Sequence, residues 1–139
     1  MHLSSILTVG CIVLVLGACT NPANPSCAAG TGSSVTLFTL YFGQAIHGRG
    51  DVSAEEWQVF QDRTITPDLP AGYTIFEANG AWMNPVTHTM SQEATKVLVV
   101  ALPAGPDSLT KVNRIRTEYA TQFHQQLVGM TSGSACGDF

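Results

Sequence analysis

Cationic side chains are scarce in this chain: its 139 residues hold six Lys and Arg against ten Asp and Glu, a net charge of −4, with no basic cluster. A nucleic-acid surface needs Lys and Arg to meet phosphates, so that class of partner is excluded. Beyond the run Ile6 to Leu16 there is no long apolar stretch, and that run is shorter than the roughly 18 residues of a membrane-spanning helix. The four cysteines contain no Cys-x-x-Cys pair, which removes the usual dithiol redox arrangement. No Gly-x-Ser-x-Gly elbow occurs, and His47, His88 and His124 lack any metal-ligand spacing, so neither a metal nor a cofactor is expected.

What is present begins with Leu16-Gly17-Ala18-Cys19, which follows the apolar run and has the form of a bacterial lipobox. Small Ala18 lets a peptidase reach the bond, and the Cys19 thiol accepts lipid. Residues 1–18 are therefore expected to be a signal peptide, although Met1 to Ser5 carries no Lys or Arg and leaves the positive charge to the α-amino group and His2. Its removal leaves 121 residues, room for one domain. The expected address is the bacterial envelope, with the membrane as a partner through lipid on Cys19. Thr20 stands where an aspartate would signal inner-membrane retention, so in a two-membrane host the outer membrane, facing the periplasm, is expected. Cys11 departs with the leader, which leaves Cys27 and Cys136 as a pair in an oxidising compartment, expected to be bridged.

Residues 19–34 contain Asn, Pro, Ala, Gly and Ser without charge and read as a tether, with the domain over 35–139. Val35 to Phe42 is β-branched and aromatic, as a buried strand is. Ser53-Ala-Glu-Glu56 is a capping box that opens a helix, with Trp57 and Phe60 on one face and a stop expected before Pro67. Gly72 to Trp82 reads as a second strand, followed by a turn at Asn84-Pro85 and a long connection to Ala94. Lys96 to Leu102 is a strand apolar on both faces. Asp107 or Ser108 can cap a second helix whose Val112, Ile115, Tyr119 and Phe123 form an apolar stripe. A short last strand over Gln126 to Met130 would precede a Gly- and Ser-rich tail. The order βαββαβ is the ferredoxin-like α+β arrangement, an antiparallel four-stranded sheet with two helices on one face. There the last strand runs against the first, placing Cys27 and Cys136 at one edge.

Such a sheet leaves one face open. Thr74, Phe76, Ala78, Gly80 and Trp82 are expected on the helix side. Tyr73, Ile75, Glu77 and Asn79, with Leu37, Thr39 and Tyr41, are expected on the open side, a surface apolar enough to seat a homodimer partner. Glu77, Glu93, Arg116 and Tyr119 are the candidate catalytic residues, since a carboxylate beside an aromatic ring can act as a general base and Arg116 can hold an anion. Tyr41, Asn79 and Trp82 are the candidate binding residues. Structural ion pairs among Glu93, Lys96 and Arg116 are the competing account of the same charges.

From Tyr41 onward the sequence resembles the exported bacterial family known as domain of unknown function 3574. The matching residues are Phe42-Gly43, Ser53-x-x-Glu56-Trp57-x-x-Phe60, Thr66-Pro67-x-Leu69-Pro70-x-Gly72, Gly80-x-Trp82, Glu93-x-Thr95-Lys96-Val97-Leu98 and Ile115-Arg116-x-x-Tyr119-x-x-x-Phe123-x-Gln125. The chain has Gly80-Ala81-Trp82 where the family more often has Gly-Gln-Trp, and the family brings no established activity with it. The function expected from the sequence is a non-enzymatic envelope lipoprotein that binds through its open sheet face. The alternative is a small-molecule enzyme of the dimeric ferredoxin-like kind with a carboxylate base.

Overall fold

Strand pairing around one central apolar segment organises the computed structural model, which describes residues 27–84 and 87–138. The expected signal peptide, Cys19, the start of the expected tether and Pro85 of the expected turn lie outside the described residues. Strand β1 (Ser33–Gly43) alternates strictly, with Phe38, Leu40 and Phe42 buried and Leu37 and Tyr41 exposed. It is followed by a two-residue hairpin of β2 (Ala45–Ile46) and β3 (Gly50–Asp51), in a stretch the sequence presented as a plain loop.

Helix α1 (Ala54–Phe60) starts at the expected capping box, Ser53 and Glu56 each satisfying the other's backbone amide. It does not stop before Pro67: the chain passes through a π-helical turn (Gln61–Ile65) into a final turn, α2 (Thr66–Asp68). Pro67 fits because it stands at the start of that new turn, where its missing N–H costs nothing. Strand β4 (Thr74–Met83) and strand β5 (Met90–Pro103) form a long hairpin, with a hydrogen bond from the Asn84 amide to the Thr89 carbonyl at its tip. The stretch expected to be a connection up to Ala94 is thus ladder from Met90 onward, paired residue by residue with β4.

Helix α3 (Pro106–Gln122) is capped by Gly105 without a side-chain bond, and Ser108 instead donates to the Pro103 carbonyl. Val112, Ile115, Tyr119 and Phe123 are buried as their spacing predicts. Strand β6 (Gly129–Gly137) lies later than expected and consists of the Gly- and Ser-rich residues read as a tail. Backbone pairing explains it: β1 would otherwise present a bare edge, and small residues pair along it without steric cost.

The sheet order is β4-β5-β1-β6, all pairs antiparallel, with the helical segments packed on one face. On that side Phe42 meets Trp57 and Tyr119 edge-on at centroid distances of 5.4 and 4.8 Å. Arg114 on α3 pairs with buried Asp68 of α2, tying the two helical segments together. A disulfide joins Cys27 to Cys136, beside the register pair Ser34 and Cys136, and spans 109 residues. In the chain-entropy account a loop of that length contributes about 5 kcal/mol.

The register fixes which face each β4 side chain occupies, and it reverses the expectation. Phe76 pairs with Val97 and Ala78 with Thr95, so Thr74, Phe76, Ala78, Gly80 and Trp82 share the open face with Leu37, Thr39 and Tyr41. Ile75, Glu77 and Asn79 share the helix side with Leu98, where Ile75 packs on the core. β4 is an edge strand, and its aromatic residues are exposed where apolar character alone suggested burial.

Candidate functional site

At the end of the open face nearest the β4–β5 tip, a groove of about 900 Å³ runs between the sheet and the segments around His47 and His124. Tyr41, Trp82 and Glu93 line it, three of the residues singled out from the sequence. His47 and His124 also line it, brought together from 77 residues apart by the β2–β3 hairpin and the end of α3. No spacing rule could have found them, because the sheet rather than a local motif makes the juxtaposition. His124 has a left-handed backbone, φ 53°, at the point where the chain leaves α3. Among the described residues no group of three His, Cys, Asp or Glu side chains could hold a metal ion.

The groove floor is built on glycine. Gly43, Gly80 and Gly129 have no positive φ, so backbone freedom does not account for them. Space does for Gly43 and Gly80. A Cβ on Gly43 would lie 2.7 Å from a Glu93 carboxylate oxygen and one on Gly80 2.7 Å from the Thr95 hydroxyl, whereas one on Gly129 would meet the Tyr41 ring at 3.4 Å, an ordinary van der Waals contact. Glu93 and Thr95 therefore lean diagonally across the strands, and Tyr41 lies over its register partner. The Glu93 carboxylate rests on bare backbone, half-buried, and accepts no hydrogen bond and forms no ion pair among the described residues.

Beneath this floor, on the helix side, Tyr119 holds the same strand end. Its hydroxyl donates to the Gly43 carbonyl at 2.8 Å, and the buried Gln44 amide donates to that hydroxyl at 2.9 Å and to the Phe42 carbonyl at 2.9 Å. Burial pushes the phenol pKa well above its ordinary value, the negative fields of Glu93 and Glu56 add to that, and the Gln44 hydrogen bond opposes it. Tyr119 is thus a neutral core residue that holds Gly43 from below while Glu93 lies on it from above.

The remaining candidates are placed elsewhere. Glu77 is exposed on the helix side of the β4 edge, where it pairs with Lys96, which also lies 5.7 Å from the Trp57 ring. Asn79 projects to the same side, away from the groove. Arg116 donates from Nε to the Val128 carbonyl and from Nη1 to Asn113, both at 2.9 Å, beside a separate cavity of about 400 Å³. The expected convergence of Glu77, Glu93, Arg116 and Tyr119 does not occur, because β4 faces the opposite way and Tyr119 is buried in the core. The competing ion-pair account fails as well, since Lys96 is paired with Glu77 and Glu93 is left without a cation.

Fold and groove together define a class, an α+β domain with a single carboxylate at the end of an open sheet face. Residues 38–139 match the model of the family described as Protein of unknown function (DUF3574), and the chain belongs to that family. No curated protein matches the sequence. Among solved structures it is similar to a phage SAM lyase in complex with S-methyl-5′-thioadenosine, with a TM-score of 0.54 and 13% identity over 76% of this chain and 92% of that one. It is also similar to a phage SAM lyase in the apo state, with a TM-score of 0.52 and 13% identity over 81% of this chain and 95% of that one. At such identity the likeness shows the fold alone. The expectation of a non-enzymatic binding module is corrected on two grounds: the matching structures are those of an enzyme, and the open face ends in a groove with an unpaired carboxylate rather than a uniform docking surface.

Tyr119→Phe removes a buried donor and leaves Gln44 and the Gly43 carbonyl short of a partner, so urea denaturation at neutral pH should show a loss of about 1–2 kcal/mol. The folded phenol pKa is raised, so its contribution is complete below the unfolded tyrosine value of about 10 and declines as pH rises beyond it. The alkaline fall in stability should therefore be shallower in Tyr119→Phe. An unchanged denaturation midpoint and an unchanged alkaline limb would contradict this role.

Proposed function

We propose that this domain is a small-molecule enzyme of the ferredoxin-like kind in which Glu93 is the general base. The order β4-β5-β1-β6 with two helical segments on one face supports the ferredoxin-like reading, with the β2–β3 hairpin as an insertion. One observation carries the catalytic reading: Glu93 is unpaired, held on Gly43, and faces a groove large enough for a metabolite. A carboxylate committed to a structural ion pair would have to give up that partner to take a proton. Glu93 has none to lose. His47 and His124 stand on the wall of the same groove. The likeness to SAM lyase makes S-adenosylmethionine a first substrate to offer within a metabolite panel.

Glu93→Gln should lower turnover of any substrate found in that panel by about a hundredfold or more, the usual worth of a positioned general base. Glu77→Gln, on the other side of the sheet, should leave it unchanged. Chromatographic and mass-spectrometric product assays separate these outcomes, and retention of activity in Glu93→Gln would refute the assignment.

The half of the open face beyond the groove, with Leu37, Phe76, Val97 and Val99, supports a homodimer as the working form. Leu37 and Phe76 are 40% and 54% exposed, and no charged side chain interrupts the patch. Phe76→Asp should weaken self-association in sedimentation equilibrium by about thirtyfold, the ~2 kcal/mol of an interface anchor. A wild-type chain that stays monomeric at high concentration would refute the dimer.

A further inference from the structure

We propose that the groove takes a cation that carries a flat aromatic ring, the ring stacked on Tyr41 and the positive centre against Glu93. This rests on Glu93 being the working group of the groove. Three observations on its walls lead to it independently of any relative. Among the residues lining the groove Glu93 is the sole carboxylate, and neither Lys nor Arg is present, so a negative group placed at Glu93 would meet like charge without a Lys or Arg counter-ion. A cation meets an unpaired carboxylate, the arrangement that gains most in a partly dehydrated cleft.

The second observation is a pair of exposed aromatic side chains. Tyr41, packed against Gly129 of β6, is 39% exposed, and Trp82, equally exposed, stands across the groove on β4. The third observation is spacing: the carboxylate sits over Gly43, two residues along the strand from Tyr41 on the same face, which is about 7 Å. A ligand whose ring and charge are separated by that distance spans both.

The test is calorimetric titration of the full mature chain with S-adenosylmethionine and with S-adenosylhomocysteine, which keeps the ring and lacks the sulfonium charge. Phenethyltrimethylammonium serves as a minimal ring-plus-charge probe. The sulfonium compound should bind at least about tenfold more tightly than its uncharged counterpart, in line with one charge-assisted contact. Glu93→Gln should bring that ratio close to one, and Tyr41→Ala should weaken both compounds while preserving the ratio. Equal affinity for the two, or binding of neither cation at millimolar concentration, overturns the inference. Charge-selective binding without turnover of anything in the metabolite panel would keep this inference and defeat the enzymatic reading. Turnover that needs Glu93 but shows no preference for a cation would do the reverse.

Discussion

The structure depends on how the last residue of β1 is held. Gly43 receives the Tyr119 hydroxyl on its carbonyl from the helix side and the Glu93 carboxylate against its bare Cα from the open side. The first contact fixes α3 to the centre of the sheet through an aromatic cluster with Phe42, Trp57 and Phe60. The second keeps a carboxylate close to backbone and, among the described residues, out of any ion pair. A side chain at this position would break the second contact, and losing the hydroxyl would break the first. Core packing and groove chemistry meet in one residue that has no side chain.

That arrangement explains the division of labour between the two faces. The helix side holds the bulky apolar residues and the paired charges, with Arg114 on Asp68 and Lys96 on Glu77. The open side holds the glycine floor, exposed apolar and aromatic side chains such as Leu37, Phe76, Tyr41 and Trp82, and the unpaired Glu93 carboxylate. Burying an unpaired charge in the core would cost several kcal/mol, whereas at the mouth of a groove water stabilises it until a ligand arrives. The edge strand β6, mostly Gly, Ser, Thr and Ala apart from Met130 and Cys136, contributes width to the floor without filling it.

Much of this was legible in the residues. The capping box at Ser53, the stripe Val112, Ile115, Tyr119 and Phe123 on α3, and the apolar runs of β1 and β5 follow from local periodicity, which local chemistry imposes. The face of β4 was not legible, because Phe76 and Trp82 have the apolar character of core residues and only the hairpin register shows that they alternate onto the open side. β6 was placed too early for the opposite reason: most of its residues are Gly, Ser and Ala, of low strand propensity, and it forms because β1 supplies a partner edge. Glu93, Tyr41 and Trp82 were found as candidates, while Glu77, Asn79, Arg116 and Tyr119 were separated from them by sheet geometry. Gly43 and Gly80 gave no local signal, since each is required by a side chain on a neighbouring strand.

The central claim is that the Glu93 carboxylate is held unpaired for a ligand. Side-chain carboxyl carbons can be followed individually by NMR in uniformly ¹³C-labelled protein as phenethyltrimethylammonium is added. The account predicts that the Glu93 resonance moves with saturation while those of Glu77 and Asp68, engaged with Lys96 and Arg114, stay in place. A Glu93 resonance that does not respond, or a response centred on Glu77 or Asp68, would contradict it.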